Sequence, residues 1–332
     1  MWLERHWQHV TIVSALLYPL SVVFRAVVAL RRFGYARSWL RTVKVGVPVV
    51  IVGNVTIGGT GKTPLVLWLT EFLSQQGFRP GIVSRGYGAA ERDATAVTPG
   101  SDPARVGDEP VLLAQRSGCP VWIGRDRVAA ASGLLHANAR CDVIVSDDGL
   151  QHYRLARDVE LAVIDGSRAL GNGLMLPAGP LREPASRLRE MDAIVINGGP
   201  RAADPTRRAV SSKLEGRIFR NLMNPQHAVS AEFFQRRHVH AVAGIGNPAR
   251  FFEHLQGLGL DFEAHPFPDH HSFTAGDLEF ANCDAIVMTE KDAVKCGSFA
   301  NETQWALRVD AVPDAALGSS SCGSSTKTPV KT

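Results

Sequence analysis

The chain has 332 residues, 45% of them hydrophobic and 20% charged, with a formal net charge of +4. That length supports two domains with a substantial core, and that balance excludes a disordered chain. Five cysteines, at 119, 141, 283, 296 and 322, form no C-x-x-C pair; this argues against a structural zinc site or a disulfide framework and points to a reducing compartment.

The first element is an apolar helix. Val10–Phe24 is interrupted only by Thr11, Ser14, Pro19 and Ser21, and the helix is expected to run on to Leu30. On a helical wheel Thr11, Ser14, Tyr18, Ser21, Arg25 and Arg32 form one narrow polar stripe, and nearly everything else is apolar. Basic residues follow at Arg31, Arg37, Arg41 and Lys44, and no acidic residue falls between Glu4 and Glu71. The expected reading is a helix lying in a membrane interface beside anionic lipid; a core helix and a single span are the alternatives. A signal peptide is not expected, because no small-residue cleavage site follows. No interleaving of basic and aromatic residues favours nucleic acid.

Val49–Thr63 reads VVIVGNVTIGGTGKT. A β-branched strand feeds a Gly-rich turn, and Pro64 then opens a helix that Gly77 can cap. This is the strand, loop and helix of a phosphate-binding P-loop. Thr56, Ile57, Gly58, Gly59, Thr60, Gly61, Lys62 and Thr63 would cradle the phosphates of a nucleotide triphosphate, with Lys62 on the β/γ-phosphates and the Thr63 hydroxyl on Mg²⁺. Thr56 stands where the first glycine of the strict pattern belongs. Ile57 stands where partition-type ATPases carry a lysine, which argues against that group.

Strands are expected at 78–84, 121–123, 142–148, 160–165 and 192–197, with an exposed loop over 92–106 and helices from Asp108 and over 125–139. This alternation predicts a parallel sheet covered on both faces. A second unit is expected from 238, with strands at 238–244 and 284–289 around a helix at 248–258. The organisation read from the chain is thus a membrane-associated segment (1–44), a P-loop kinase domain (45–215), a linker (216–237), a smaller α/β domain (238–317) and a disordered tail (318–332). The Gly244-Ile-Gly246 turn lacks the third glycine of a dinucleotide fingerprint and reads as a tight βα turn.

Asp147 and Asp148 end a hydrophobic strand, where the Mg²⁺ of a nucleotide is held. Asp108 opens a helix, as a cap or as a site carboxylate. Asp269, His270 and His271 sit in FPDHHSF; a carboxylate–histidine pair there suits a base or proton relay for phosphoryl transfer to an alcohol. Arg182 and Glu183 lie on a Pro-punctuated loop fit to clamp a phosphate or a sugar.

Taken together, GNVTIGGTGKTP, SRGYG, VGDEP, SDDGLQH, LMLPAGPLREP, FPDHHSF and TEKDAVK closely resemble the tetraacyldisaccharide 4'-kinase family of lipid A synthesis. They span Gly53 to Lys295. That family's Ser or Thr at the first glycine position accounts for Thr56. The resemblance implies two α/β/α domains, the first P-loop NTPase-like, with a catalytic cleft between them. It implies transfer of the ATP γ-phosphate to the 4'-hydroxyl of a tetraacylated glucosamine disaccharide 1-phosphate. The protein would be a monomer, peripheral on the cytoplasmic face of a bacterial inner membrane. Asp108 and His270, preferred over His271, would activate the hydroxyl. Lys62, Asp147 and Asp148 would serve the reacting centre, the two aspartates also serving the metal. Arg85, Gln151, His152, Arg182, Glu183 and His271 would face the lipid disaccharide. The competing readings are a P-loop kinase of a soluble metabolite and a membrane-associated nucleotide switch. TEKD contributes Lys291 and Asp292 without an assigned role.

Overall fold

The computed structural model describes residues 5–198, 209–314 and Leu317. The tail expected over 318–332 lies outside the described residues.

The chain opens with α1 (Ile12–Ala36), capped by the Thr11 hydroxyl, which accepts from the Ser14 N–H. Then follow β1 (Val49–Gly53), α2 (Lys62–Gln75), β2 (Pro80–Ser84), β3 (Thr95–Val97), α3 (Pro103–Val106), α4 (Asp108–Ser117), β4 (Val121–Ile123), α5 (Arg127–Ala137), β5 (Val143–Asp147), β6 (Val159–Asp165) and β7 (Ala193–Asn197). The remainder holds β8 (Ala209–Asn221), β9 (Ala228–Val229), β10 (Val239–Ala243), α6 (Pro248–Gly257), β11 (Glu263–Pro266), β12 (Ala285–Thr289), α7 (Glu290–Cys296) and β13 (Gln304–Pro313). The fold is α/β. Among the described residues the strands make one sheet in the order β11-β10-β12-β13-β8-β7-β6-β1-β5-β2-β4-β3, with β9 on β8. Pairing is parallel except at β13–β8, β3–β4 and β8–β9.

Helices cover both faces of the first lobe. Leu65, Val66 and Leu69 of α2 and Val111 and Leu113 of α4 pack on one face of β1, β2 and β5. Val128, Ala130, Ala131 and Leu134 of α5 pack on the other, with Phe24 and Val28 of α1 alongside. In the second lobe Phe251 and Leu255 of α6 cover one face, and Phe273, Leu278 and Cys296 the other. Truncating a fully buried leucine such as Leu65 would cost about 2–5 kcal/mol.

Two stretches differ from the sequence reading. Residues 92–106 hold the short edge strand β3 and the helix α3. Residues 216–221 of the expected linker belong to β8, which pairs parallel with β7 through Ala209–Ser212 and antiparallel with β13 through Ser212–Asn221. One strand therefore serves both lobes. Its alternating Lys213, Glu215, Arg217 and Arg220 give it the composition of a polar connector, while Val210, Ser212, Phe219 and Asn221 are buried.

The helix α1 is amphipathic in the opposite sense to a soluble helix. The two serines of its polar stripe face the protein, while Tyr18 and Arg25 of that stripe are exposed: the buried Ser21 hydroxyl donates to the Met175 carbonyl at 2.8 Å, and Ser14 donates to the His6 carbonyl at 3.1 Å. Ile12, Leu16, Leu20, Val23, Val27 and Leu30 are exposed on the outside. The core-helix reading therefore does not describe it. Its length and composition are sufficient to cross a membrane.

Candidate active site

The two lobes enclose a cleft of about 1410 Å³ that runs from Trp7, past the P-loop, to Phe267–His270 and Lys291. The P-loop wall follows from backbone chemistry. Gly58 and Gly61 have φ of 103° and 81°, a region that favours glycine. A Cβ on Gly61 would lie 2.4 Å from Nδ2 of Asn197, which donates to the Thr60 carbonyl at 2.6 Å. The loop is also tied to the 177–184 segment: the Ile57 N–H donates to the Pro180 carbonyl, and the Arg182 N–H to the Val55 carbonyl. That tie delivers Arg182 to the cleft.

Lys62 heads α2, with its Nζ 3.3 Å from Asn54 Oδ1 and 3.6 Å from Asp148 Oδ1. Arg182 Nη1 lies 3.1 Å from Asp148 Oδ2. Burial alone would raise the Asp148 carboxyl, but Lys62 and Arg182 outweigh it and hold it at about 2. Asp147, one residue earlier, behaves in the opposite way. Burial, reinforced by the negative charge of Glu109, pushes it up to about 7 against the attraction of Lys62. The strand ends between them, because Asp148 turns into the left-handed region at φ 48°. Asp147 accepts from Ser84 Oγ at 3.2 Å through Oδ2, while its buried Oδ1 has no hydrogen-bond partner. A buried carboxylate oxygen without a partner, next in the chain to a second carboxylate that lines the same cleft as Thr63, is a donor set that fits Mg²⁺.

Across the cleft, Asp108 begins α4 and is buried. Its Oδ1 accepts the Glu109 N–H, although the helix cap is Gly107 and no side chain caps this helix, and its Oδ2 stands 3.1 Å from His270 Nδ1. That bond is the main cause that raises the His270 pKa. Burial would raise Asp108, but the His270 bond and the Lys291 charge lower it overall. Lys291, at the start of α7, lies 3.2 Å from Glu109 and 3.4 Å from His270 Nε2. Burial alone would lower its pKa, but Glu109, Asp108 and Asp269 raise it. Tyr87 packs against His270 at a tilt, with ring centroids 5.0 Å apart.

The structure thus brings Thr56–Thr63, Asp148, Arg182 and His270 to one cleft, with Asp108 behind His270 and Asp147 behind Asp148. The remaining candidates lie elsewhere. Gln151 bonds the Asn54 carbonyl and lies 3.4 Å from Arg182 Nη1, behind the P-loop. His152 accepts the Arg127 N–H; burial, aided by Arg127, drives its pKa down to about 4. Arg85 is exposed at the end of β2. Glu183 is buried beside Arg187, 3.9 Å away, and burial raises its pKa. His271 turns to Asp277 at 3.3 Å and packs against Phe267 and Phe273. Sequence reasoning missed Asp165, Arg168 and Arg250, which meet beside the P-loop, where Arg168 donates to the Gly59 carbonyl. Asp165 ends β6, the other neighbour of β1, so the rule that singled out Asp147 applies to it as well.

A P-loop between two strands with terminal carboxylates, facing a buried carboxylate–histidine pair, defines an ATP-type phosphotransferase acting on a hydroxyl. The comparisons narrow this. The model of the LpxK family, tetraacyldisaccharide-1-P 4'-kinase, matches residues 13–329, and the chain belongs to that family. It is 52% identical to the tetraacyldisaccharide 4'-kinase of Methylobacillus flagellatus, over 95% of this chain and 93% of the relative. It is likewise 52% identical to the enzyme of that name from Alkalilimnicola ehrlichii, over 90% of this chain and 89% of the relative. Its fold matches the crystal structure of LpxK from Aquifex aeolicus in complex with ATP, with TM-score 0.80 and 26% identity, covering 94% of this chain and 99% of the other.

Proposed function

We propose that this kinase transfers the γ-phosphate of ATP to the 4'-hydroxyl of a tetraacylated glucosamine disaccharide 1-phosphate, at a membrane surface. Membership of the family supports the reaction and the substrate. The observation that carries the site assignment is the Asp108–His270 pair placed across one cleft from Lys62 and Asp148.

The geometry supports the following division of roles. Gly58–Thr63 bind the triphosphate through backbone N–H groups, and Lys62 meets its β/γ end. Thr63, Asp147 and Asp148 would hold Mg²⁺, which neutralises phosphate charge when bound. Arg182, already aligned on Asp148, is placed to follow the reacting phosphate or the sugar beside it. The acceptor hydroxyl gives its proton to the Asp108–His270 pair, which that proton neutralises, as its oxygen bonds the γ-phosphorus and ADP leaves. His270 faces the cleft and orients Asp108 through Nδ1, while Lys291 fixes His270 from the far side.

The substrate is acylated, so its kinase must meet a bilayer. The exposed apolar face of α1 supports docking there, and Trp7, just before this helix, lines the cleft mouth. We take the protein to be a monomer, peripheral on the cytoplasmic face of the inner membrane through α1, with Arg31, Arg37, Arg41 and Lys44 toward anionic headgroups. This lipid-facing helix favours the lipid kinase over a kinase of a soluble metabolite. The decisive assay supplies Mg-ATP and the acylated disaccharide 1-phosphate in detergent. A bisphosphorylated product supports the reading, and no turnover by folded protein defeats it.

A further inference from the structure

Outside the kinase cleft, three metal-ligating side chains converge on the second lobe. His240 lies on β10, and Glu263 and His265 on β11, the last strand of the sheet. The parallel register sets His240 opposite Glu263. His265, two residues on, shares that face because strand side chains alternate. His240 Nδ1 and His265 Nε2 face each other at 3.0 Å. Glu263 closes the triangle, with Oε2 3.8 Å from His240 Nδ1 and Oε1 3.9 Å from His265 Nε2. Phe280 stacks on both imidazoles, with centroids 4.5 Å from His240 and 4.2 Å from His265, and so fixes the plane of each ring. His240 is buried, while the Glu263 side chain is 71% exposed and free to rotate.

Two imidazoles facing nitrogen to nitrogen make one hydrogen bond when one nitrogen carries the proton. That bond has no need of a carboxylate aimed at both nitrogens. Three donor atoms all within 4.8 Å of one another are close enough to be gathered around a single ion. Around a tetrahedral zinc ion with bonds of about 2.0–2.2 Å, neighbouring ligand atoms stand about 3.3 Å apart. The nitrogen pair, at 3.0 Å, is within about 0.3 Å of that spacing, and rotation of the exposed carboxylate must bring one of its oxygens in by about 0.5–1.5 Å. Two imidazoles and one carboxylate suit zinc-class transition ions; Mg²⁺ prefers an all-oxygen shell.

We propose that His240, Glu263 and His265 bind one zinc-class divalent ion, with a fourth position open to water. The site is separate from the Mg²⁺ position at Thr63, Asp147 and Asp148. It would act as a staple. β10 runs into the Gly244–Pro248 turn and β11 into Phe267–His270, and both segments line the catalytic cleft. Joining the two strands would brace the loops that carry Gly246 and His270. A metal here would set loop order, and none of the three ligands takes part in phosphoryl transfer.

The test uses chelator-stripped full-length protein titrated with Co²⁺ and Zn²⁺. The expected result is one ion per chain with Kd below about 100 μM, a visible Co²⁺ band of a low-coordinate site, and no displacement by millimolar Mg²⁺. Zn²⁺ at about 100 times Kd should raise Tm by about 3–6 °C. His265→Gln should abolish the band. Glu263→Gln, at an exposed position that the fold does not depend on, should weaken binding at least about tenfold. Co²⁺ titrations identical for wild type, H265Q and E263Q would overturn the proposal, as would a wild-type Kd above about 100 μM.

Discussion

His270 Nδ1 lies 3.1 Å from Asp108 Oδ2, although 162 residues separate the two in the chain. Asp108 opens α4 beside β4 in the first lobe, and His270 follows β11 in the second. The pair therefore exists only when the lobes are packed as they are here. Asp108→Asn or His270→Ala should lower kcat by about 10²–10⁴ while leaving KM for ATP within a few-fold of wild type. Steady-state kinetics with both substrates separate the two effects. An unchanged kcat in either variant removes that residue from the chemistry.

The same pair sets a pH dependence. The His270 pKa is raised by its bond to Asp108. Its contribution to stability is therefore complete below the unfolded value of 6.5 and is lost as pH rises through the higher folded value. Activity moves the other way, since a neutral His270 leaves Asp108 the stronger base. The expected kcat/KM profile has a limb rising above pH 6.5, displaced from an ordinary imidazole, and this limb is absent in His270→Gln. Tm measured across the same range should fall more steeply for wild type than for that variant.

How much of this was legible in the chain depended on where the determining contacts lie. The P-loop was legible because its function is local: a β-branched strand, glycines at positive φ and Lys62-Thr63 occur within fifteen consecutive residues. Asp147 and Asp148 were legible for the same reason, as carboxylates ending an apolar strand. The strand β8 was not, because its charged residues face solvent on both sides of a seam that only β7 and β13 define. Glu183 and His152 show the limit of motif reasoning: both lie in site-bearing motifs, yet one is buried against Arg187 and the other serves the α5 N-terminus. The histidine pair on β10 and β11 escaped because no sequence spacing links His240 to His265; the strand register does.

Gly61 tests the P-loop geometry. Its φ of 81° is unfavourable for a side chain, and a Cβ would lie 2.4 Å from Asn197 Nδ2. Gly61→Ala should force Asn197 off the Thr60 carbonyl, leaving a buried carbonyl short of its donor, at a cost of about 1–3 kcal/mol. ATP binding should weaken at least tenfold, read by calorimetry. A variant that binds ATP normally would show that the loop relaxes without loss.

The lipid face of α1 tests membrane docking. Leu20, Val23 and Val27 are 58%, 61% and 58% exposed, so acidic residues there disturb no packing. The triple variant Leu20→Asp, Val23→Asp, Val27→Asp should keep its Tm and lose sedimentation with anionic vesicles. Turnover of acylated substrate in vesicles should fall well below turnover in detergent. Ser21→Ala is the converse control. It removes the 2.8 Å bond to the Met175 carbonyl, which keeps the Gly179 N–H, and should cost about 1 kcal/mol of stability without releasing the protein from vesicles. Full vesicle binding by the triple aspartate variant would move the anchor to another surface.

Asp147 couples stability to the metal. Burial, with Glu109, holds its carboxyl at about 7, whereas in the unfolded chain it ionises near 3.8. Between these values folding must take up a proton, so this group costs more stability as pH rises from about 4 to about 7, and the cost is constant above that. Mg²⁺ would relieve the cost by pairing with the ionised carboxylate. Asp147→Asn keeps an acceptor for the Ser84 hydroxyl and removes the charge. In the absence of metal at pH 8 it should melt several degrees above wild type. Added Mg-ATP should raise the wild-type Tm more than that of the variant, and the variant's kcat should fall at least about a hundredfold. A metal-free D147N that melts below wild type at pH 8 would mean that the ionised carboxylate is stabilised within the fold and that the orphaned Oδ1 has another partner.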